Sequence, residues 1–295
     1  MIKPLLTIIT ITYNRVSTLP KLYKSLQVQN NKNFKWLIVD DGSSDGTEEY
    51  IRYLKSLKNE FCIQYIKRPN IGKYKEMNFI LPKIDTKLLF FLDSDDCMVK
   101  NGVEKIEDTY YKCYGNVEIG SFIFERAESD GITPMNRIYN EFIDRRYYYM
   151  VRNHITGDYS DVFITDTIRR FRFPEFPEEK FMTEGPLYYE FSKRYYSVFI
   201  PQIIQVGSYI DEGLTSHMRL NQIRNFLGTM YETELYLNND TPLYFRLKKG
   251  ILFDFIAMNS PLSLWKTIKK SDHFYFLILC LVPAIVFNIR NNNVR

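Results

Sequence analysis

The chain has 295 residues, 45% of them apolar and 25% charged, which is enough to enclose a large core and too apolar for a disordered chain. Its 39 basic and 35 acidic residues leave a net charge of +4, a balance that does not call for a nucleic-acid partner. The four cysteines (62, 97, 113 and 280) lack metal or redox spacing and follow no leader-like segment, and the three histidines stand too far apart for a zinc centre. These features predict a reducing, cytoplasmic setting, with Cys62 and Cys113 as buried thiols.

Residues 7–14 form a β-branched run that reads as a strand. Leu19, Leu22, Tyr23 and Leu26 follow at helical spacing. Residues 34–39 make a second strand, ending in Asp40-Asp41-Gly42-Ser43-Ser44-Asp45-Gly46-Thr47. A helix through Tyr50, Ile51, Leu54 and Leu57 leads to a strand over 62–66. The apolar run 88–92 is a further strand and ends in Asp93-Ser94-Asp95-Asp96. Strands alternating with helices predict a parallel α/β sheet, whose ligands sit at the carboxyl ends of the strands. Here three such ends are polar. Three carboxylates in four positions are costly without a cation. Mg²⁺ or Mn²⁺ prefers oxygen ligands and leaves room for phosphate. The run therefore fits delivery of a divalent cation to a phosphate-bearing substrate. Taken alone it also fits a solvated acidic turn.

Together, four motifs resemble the family 2 glycosyltransferases of the GT-A fold. They are Thr10-Ile11-Thr12-Tyr13-Asn14-Arg15, the loop from Val39 to Thr47, Asn70-Ile71-Gly72-Lys73 with Asn78, and Leu92-Asp93-Ser94-Asp95-Asp96. They span about the first hundred residues in the family's order. More weakly, residues 157–215 resemble the acceptor half of bacterial surface-polysaccharide members, through Phe173-Pro174-Glu175-Phe176 and residues 179–184. The resemblance implies a Rossmann-like mixed sheet flanked by helices, with a helical C-terminal extension.

It also implies roles. Asp41 would read the nucleotide base, since a carboxylate can accept the imide N–H of uracil. Asp40 would shape that loop or meet the ribose. The backbone near Ile11 and Tyr13 would hold the other side of the base, and Ile11 replaces a frequent proline without consequence for a backbone contact. Gly72 and Lys73 fall at a diphosphate contact. Asp93 and Ser94 would meet the donor, and Asp95 would ligate a divalent cation, Mn²⁺ or Mg²⁺. Asp96 is their frequent companion. Glu184 would be the catalytic base of an inverting transfer, with Glu179 as the fallback. His217 lies in a loop that closes over the donor in this family, near phosphate or metal. The implied reaction is hexosyl or N-acetylhexosaminyl transfer from a nucleotide-diphosphate sugar, UDP-linked by expectation. The acceptor would be a growing polysaccharide, such as capsule, or a lipid-linked oligosaccharide. A nucleotidyltransferase is disfavoured because residues 13–17 contain no glycine. A non-catalytic scaffold subunit is disfavoured by the intact acids.

The expected organisation is a catalytic domain over 1–220, with donor half 1–100 and acceptor half 101–220, then a helical extension over 221–295 that opens with a helix at 221–237. Residues 274–289 are nearly all apolar. A helix of that length is about 24 Å long, short of a hydrocarbon core of about 30 Å. Lys266, Lys269, Lys270, Arg290 and Arg295 flank it. The segment 262–289 therefore predicts a peripheral anchor on the inner face of the cell membrane. A helix packed on the fold or at an oligomer contact is the alternative. The basic-aromatic runs 145–149 and 169–173 suit core packing, a polyprenyl-diphosphate acceptor or an anionic membrane surface better than nucleic acid.

Overall fold

The structure, a computed structural model, describes residues 3–113, 115, 118–207 and 218–292, with side chains to 290. The apolar runs of the first hundred residues become β1 (Leu6–Thr12), β2 (Phe34–Asp40), β3 (Cys62–Lys67) and β4 (Leu88–Phe91). Crossing helices α1 (Leu19–Gln27), α2 (Thr47–Ser56) and α3 (Lys73–Ile80) link them. These four strands are parallel, in the order β3-β2-β1-β4. β1 and β2 are buried almost throughout, because helices cover both faces of the sheet. Two of the β1 threonines are tolerated because they are bonded: Thr7 shares a hydrogen bond with Thr86 at 2.6 Å, and Thr10 donates to the Leu92 carbonyl at 2.9 Å and accepts the Trp36 indole N–H at 3.0 Å.

The sheet continues through β5 (Cys97–Met98), β6 (Ile119–Ala127), β7 (Phe142–Asp144), β8 (Ser160–Ile164) and β9 (Tyr196–Val206). β8 lies antiparallel to β4 and β6, and β9 runs parallel to β6, so the nine-stranded sheet is mixed. Helices α4 (Gly102–Cys113), α5 (Arg146–Arg152), α6 (Thr165–Ile168) and α7 (Gly185–Arg194) complete this part. On one face Leu22 and Leu26 of α1, Ile51 of α2 and Ile106 of α4 pack on Ile8, Trp36 and Phe90. On the other, Tyr74 and Met77 of α3 and Leu187 and Phe191 of α7 pack on Ile9, Val39 and Phe163.

Two expectations are corrected. Cys62 is exposed, because β3 is the edge strand and Cys62 starts it on the outer side; Cys113, at the end of α4, is half-buried. The helix expected at 221–237 is two helices, α8 (Met218–Arg224) and α9 (Phe226–Leu235). Asn225 breaks it. Its side-chain oxygen accepts the backbone N–H groups of Lys180 and Phe181 at 2.8 and 3.0 Å, and its backbone leaves helical geometry.

The chain ends in α10 (Leu243–Met258), α11 (Leu264–Lys270) and α12 (Phe274–Asn292). α10 and α12 run side by side in the same direction. Arg246 stacks over Phe276 at 4.9 Å, Gly250 faces Cys280, and the Asn259 amide donates to Asn288 at 3.0 Å. A Cβ at Gly250 would stand 2.6 Å from the Cys280 sulfur, so a larger residue would force the Cys280 side chain to shift. α12 buries Leu277, Cys280 and Ala284 and exposes Tyr275, Leu279, Val282, Val286 and Ile289. No helix among the described residues is long and apolar enough to cross a membrane.

Candidate active site

The parallel register aligns the strand ends. Thr12 pairs with Asp40, and Phe91 pairs with Ile9, so the loops after β1, β2 and β4 open on one edge. The loop after β2 is tightly braced. Asp40 accepts the Ser43 N–H at 2.7 Å and the Tyr65 hydroxyl at 2.6 Å. Asn14 takes a left-handed backbone (φ 52°), donates its N–H to Ser43 Oγ and accepts the Ser44 N–H, both at 2.9 Å. Asp40 thus shapes the loop. Ile11 is half-buried, and Tyr13 is exposed beside Asn14.

Asp41 is buried, with its backbone N–H bonded to the Thr12 carbonyl. Its carboxylate accepts the N–H groups of Ile71 and Gly72 at 2.7 and 3.0 Å. Burial raises its pKa, and those two N–H groups work against the rise. Both carboxylate oxygens therefore already have a partner in the loop before α3. Gly72 begins that helix with φ 98°, and a Cβ on it would come within 2.0 Å of the Lys180 carbonyl oxygen. No other residue fits there. This contact presses the loop before α3 against Lys180.

Lys73 is the first residue of α3. Its ammonium bonds Asp93 at 2.8 Å and Glu184 at 2.9 Å. Burial lowers the lysine pKa, but the two carboxylates outweigh it and hold the group well above its usual value. Lys73 in turn holds Asp93 below its usual range. Glu184 occupies the N-cap of α7, followed by Gly185 and Pro186. Its side chain turns to Lys73 rather than capping the helix. Glu179 instead gives both oxygens to the N–H groups of Leu227 and Gly228 at 2.7 Å, at the start of α9. It serves as the cap that this helix otherwise lacks.

In the acidic triplet, Ser94 is buried and Asp95 half-buried. Asp95 forms no salt bridge among the described residues; burial, then the neighbouring Asp93, raises its pKa, with Arg15 and Arg126 opposing the rise from a distance. A divalent cation would relieve that repulsion, and the single carboxylate leaves coordination positions for phosphate oxygens, as Mg²⁺ and Mn²⁺ prefer. The residues present therefore fit a cation bound jointly by protein and substrate. Among the described residues no group of three or more His, Cys, Asp or Glu forms a self-sufficient metal cluster. His217 and the Gly213 loop lie outside the described residues. Asp96 is fully buried against Arg126 at 2.9 Å and Gln205, and Arg126 also pairs with Asp158. This anchor on β6 and β9 is invisible in the sequence, since no local pattern marks Arg126 or Gln205.

The fold is of the GT-A type, with the polar strand ends gathered on one edge of its sheet. The profile of Glycosyl transferase family 2 matches residues 7–173, and the chain belongs to that family. A β-1,3-glucosyltransferase of Campylobacter jejuni, named for a GalNAc(5)-diNAcBac-PP-undecaprenol substrate, is 24% identical and aligns over 99% of this chain and 96% of its own length. An uncharacterised glycosyltransferase of Rickettsia conorii is 34% identical over 34% of this chain, and the match spans only 16% of that relative. Among solved structures, S. aureus TarS with UDP-GlcNAc gives a TM-score of 0.61 at 17% identity, covering 86% of this chain and 72% of that one. A Pyrobaculum calidifontis mannosyltransferase with GDP-Man and Mn²⁺ gives 0.59 at 12% identity, covering 97% and 87%. These likenesses bear out the mixed sheet and C-terminal helices as a GT-A fold.

Proposed function

We propose that the chain is an inverting glycosyltransferase that moves a hexosyl or N-acetylhexosaminyl group from a UDP-sugar to a growing surface polysaccharide or a lipid-linked saccharide. The Campylobacter relative's name supports a lipid-linked acceptor. The observation that carries the reading is Lys73, which joins Asp93 of the acidic triplet to Glu184 in one cleft. A group that meets the donor and a group that can take a proton are thereby held face to face.

In this reading Glu184 accepts the proton of an acceptor hydroxyl as its oxygen attacks the anomeric carbon. The bond from that carbon to the diphosphate breaks, and the nucleotide diphosphate leaves with the electron pair. Asp41 and the backbone at Ile11 and Tyr13 hold the base, Asp93 and Ser94 orient ribose or sugar, and Gly72 and Lys73 meet the diphosphate. A divalent cation at Asp95, Mn²⁺ or Mg²⁺, with His217 as a further ligand, would supply neutralisation of the charge growing on the leaving group. The catalytic domain is taken as 1–220 and the extension as 221–295. The exposed face of α12, with Lys266, Lys269, Lys270 and Arg290 beside it, suits peripheral contact with the inner face of the membrane.

Purified protein is to be incubated with UDP-glucose, UDP-N-acetylglucosamine and GDP-mannose, with Mn²⁺ or with EDTA. Release of UDP from one donor, lost in EDTA, is expected. Absence of nucleotide binding and of release with every donor would overturn the proposal.

A further inference from the structure

One pocket stands apart from the donor cleft. It has a volume of about 250 Å³ and lies between α5, the first turn of α7 and the start of α10. Pockets that enclose a whole drug-sized ligand run from roughly 300 to 1,000 Å³, so this one takes part of a ligand. Its wall is aromatic and aliphatic, with Tyr147, Met150, Ile155, Tyr188 and Phe245.

Several polar groups in that wall are already engaged. Arg146 forms a two-pronged buried pair with Asp161 and lies 3.4 Å from the Tyr188 ring centre. The Tyr147 hydroxyl bonds Thr241, and the Tyr244 hydroxyl donates to the Val151 carbonyl. A sugar ring would find few partners for its hydroxyls and would strand them. What remains is mainly apolar surface, with the Thr156 and Tyr188 hydroxyls and two nitrogen-bearing side chains: exposed Lys248, without hydrogen bond or ion pair among the described residues, and exposed His154, its ring tilted against Tyr244. An apolar wall with a cationic mouth matches an amphiphile with an anionic head.

Position agrees. Gly185 and Tyr188 line the pocket from the same turn of α7 that begins at Glu184. Lys248 sits at the end of α10 that carries the start of α12, where Arg246 meets Phe276 and where Tyr275 and Leu279 are exposed. We propose that the pocket holds the prenyl-phosphate end of a lipid-linked acceptor, the first isoprene units on the aromatic wall and the phosphate at Lys248 and His154. This rests on the glycosyltransferase reading and names the acceptor's chemical class.

The test uses full-length protein in EDTA, farnesyl phosphate below its critical micelle concentration as probe, and calorimetry. Wild type is expected to bind the probe. Met150→Trp, which fills the pocket, should weaken binding at least tenfold, and Lys248→Glu several-fold. Inorganic phosphate and N-acetylglucosamine should not compete. Ile155→Trp replaces Met150→Trp if that variant fails to fold by circular dichroism. Equal binding by wild type and the filled variant, or competition by the free sugar or by phosphate alone, would overturn the proposal. So would loss of binding in Leu279→Glu with the filled variant unaffected, since the lipid would then sit on α12. UDP titration with Mn²⁺ on the same proteins separates the two readings: UDP binding without probe binding rejects the pocket alone, and failure of UDP binding rejects the donor site.

Discussion

At the scale of single residues, the site rests on carboxylates with different partners, and these partners predict different losses. Among the described residues Glu184 pairs only with Lys73 across the cleft, so Glu184→Gln should lower turnover about 10²–10⁴-fold with melting temperature and donor affinity nearly unchanged. Glu179 caps α9, so Glu179→Gln should lower the melting temperature while turnover per folded molecule is kept. The reverse pattern, read by thermal melts and single-turnover kinetics, would exchange the two roles. Asp41 serves two backbone N–H groups as well as its expected nucleotide. Asp41→Ala should therefore cost about 1–3 kcal/mol in stability as well as UDP affinity, because two donors lose their acceptor. Calorimetry with UDP beside a denaturant melt separates these losses, and a variant as stable as wild type would argue against the brace. Asp95→Asn keeps size and removes charge, so the Mn²⁺ dependence of donor binding should collapse with the fold intact.

At the scale of elements, the strands and crossing helices of the first hundred residues were legible because their periodicity and polar ends are local. So were the acids at the ends of β2 and β4. What could not be read depends on partners far along the chain. Asp96 meets Arg126 and Gln205, Glu179 meets α9, and Asn225 breaks a helix by bonding Lys180 and Phe181. The exposure of Cys62 follows from β3 being the edge, a fact of strand order rather than composition. Gly72 ties the start of α3 to Lys180 by fit alone. Gly72→Ala should disturb both ends of the cleft, lowering UDP affinity and turnover together. A variant with only one of these altered would show that the two ends are not mechanically joined.

At the scale of the whole molecule, α10 carries a buried charge problem. Asp254 is fully buried, neither carboxylate oxygen has a hydrogen-bond partner, and burial pushes its pKa up to about 7. The unfolded chain ionises this group near 4. Its folded pKa is raised, so its contribution to stability is greatest below about pH 4 and is lost as pH rises toward about 7. Asp254→Leu should therefore raise the melting temperature more at pH 8 than at pH 4. An equal gain at both would mean that the carboxyl stays neutral throughout. The apolar contacts of α12 with α10 also bear on the membrane contact. Removing residues 262–295 would strip Phe253, Phe255 and Ile256 of cover, so outward substitutions are the cleaner probe. Leu279→Glu with Val282→Glu should reduce sedimentation with anionic vesicles without lowering the melting temperature. The cleft has one more consequence, in time rather than in space. Lys180 bonds Asn70 across 110 residues of chain, and β6 pairs in parallel with the far later β9. Contacts between such distant segments form late and slowly, because long loops must close first. During synthesis the first hundred residues emerge well before residues 179–184 exist. The nascent chain can thus shape the loops after β1 and β2 early, while Glu184 arrives only after most of the sheet has been made.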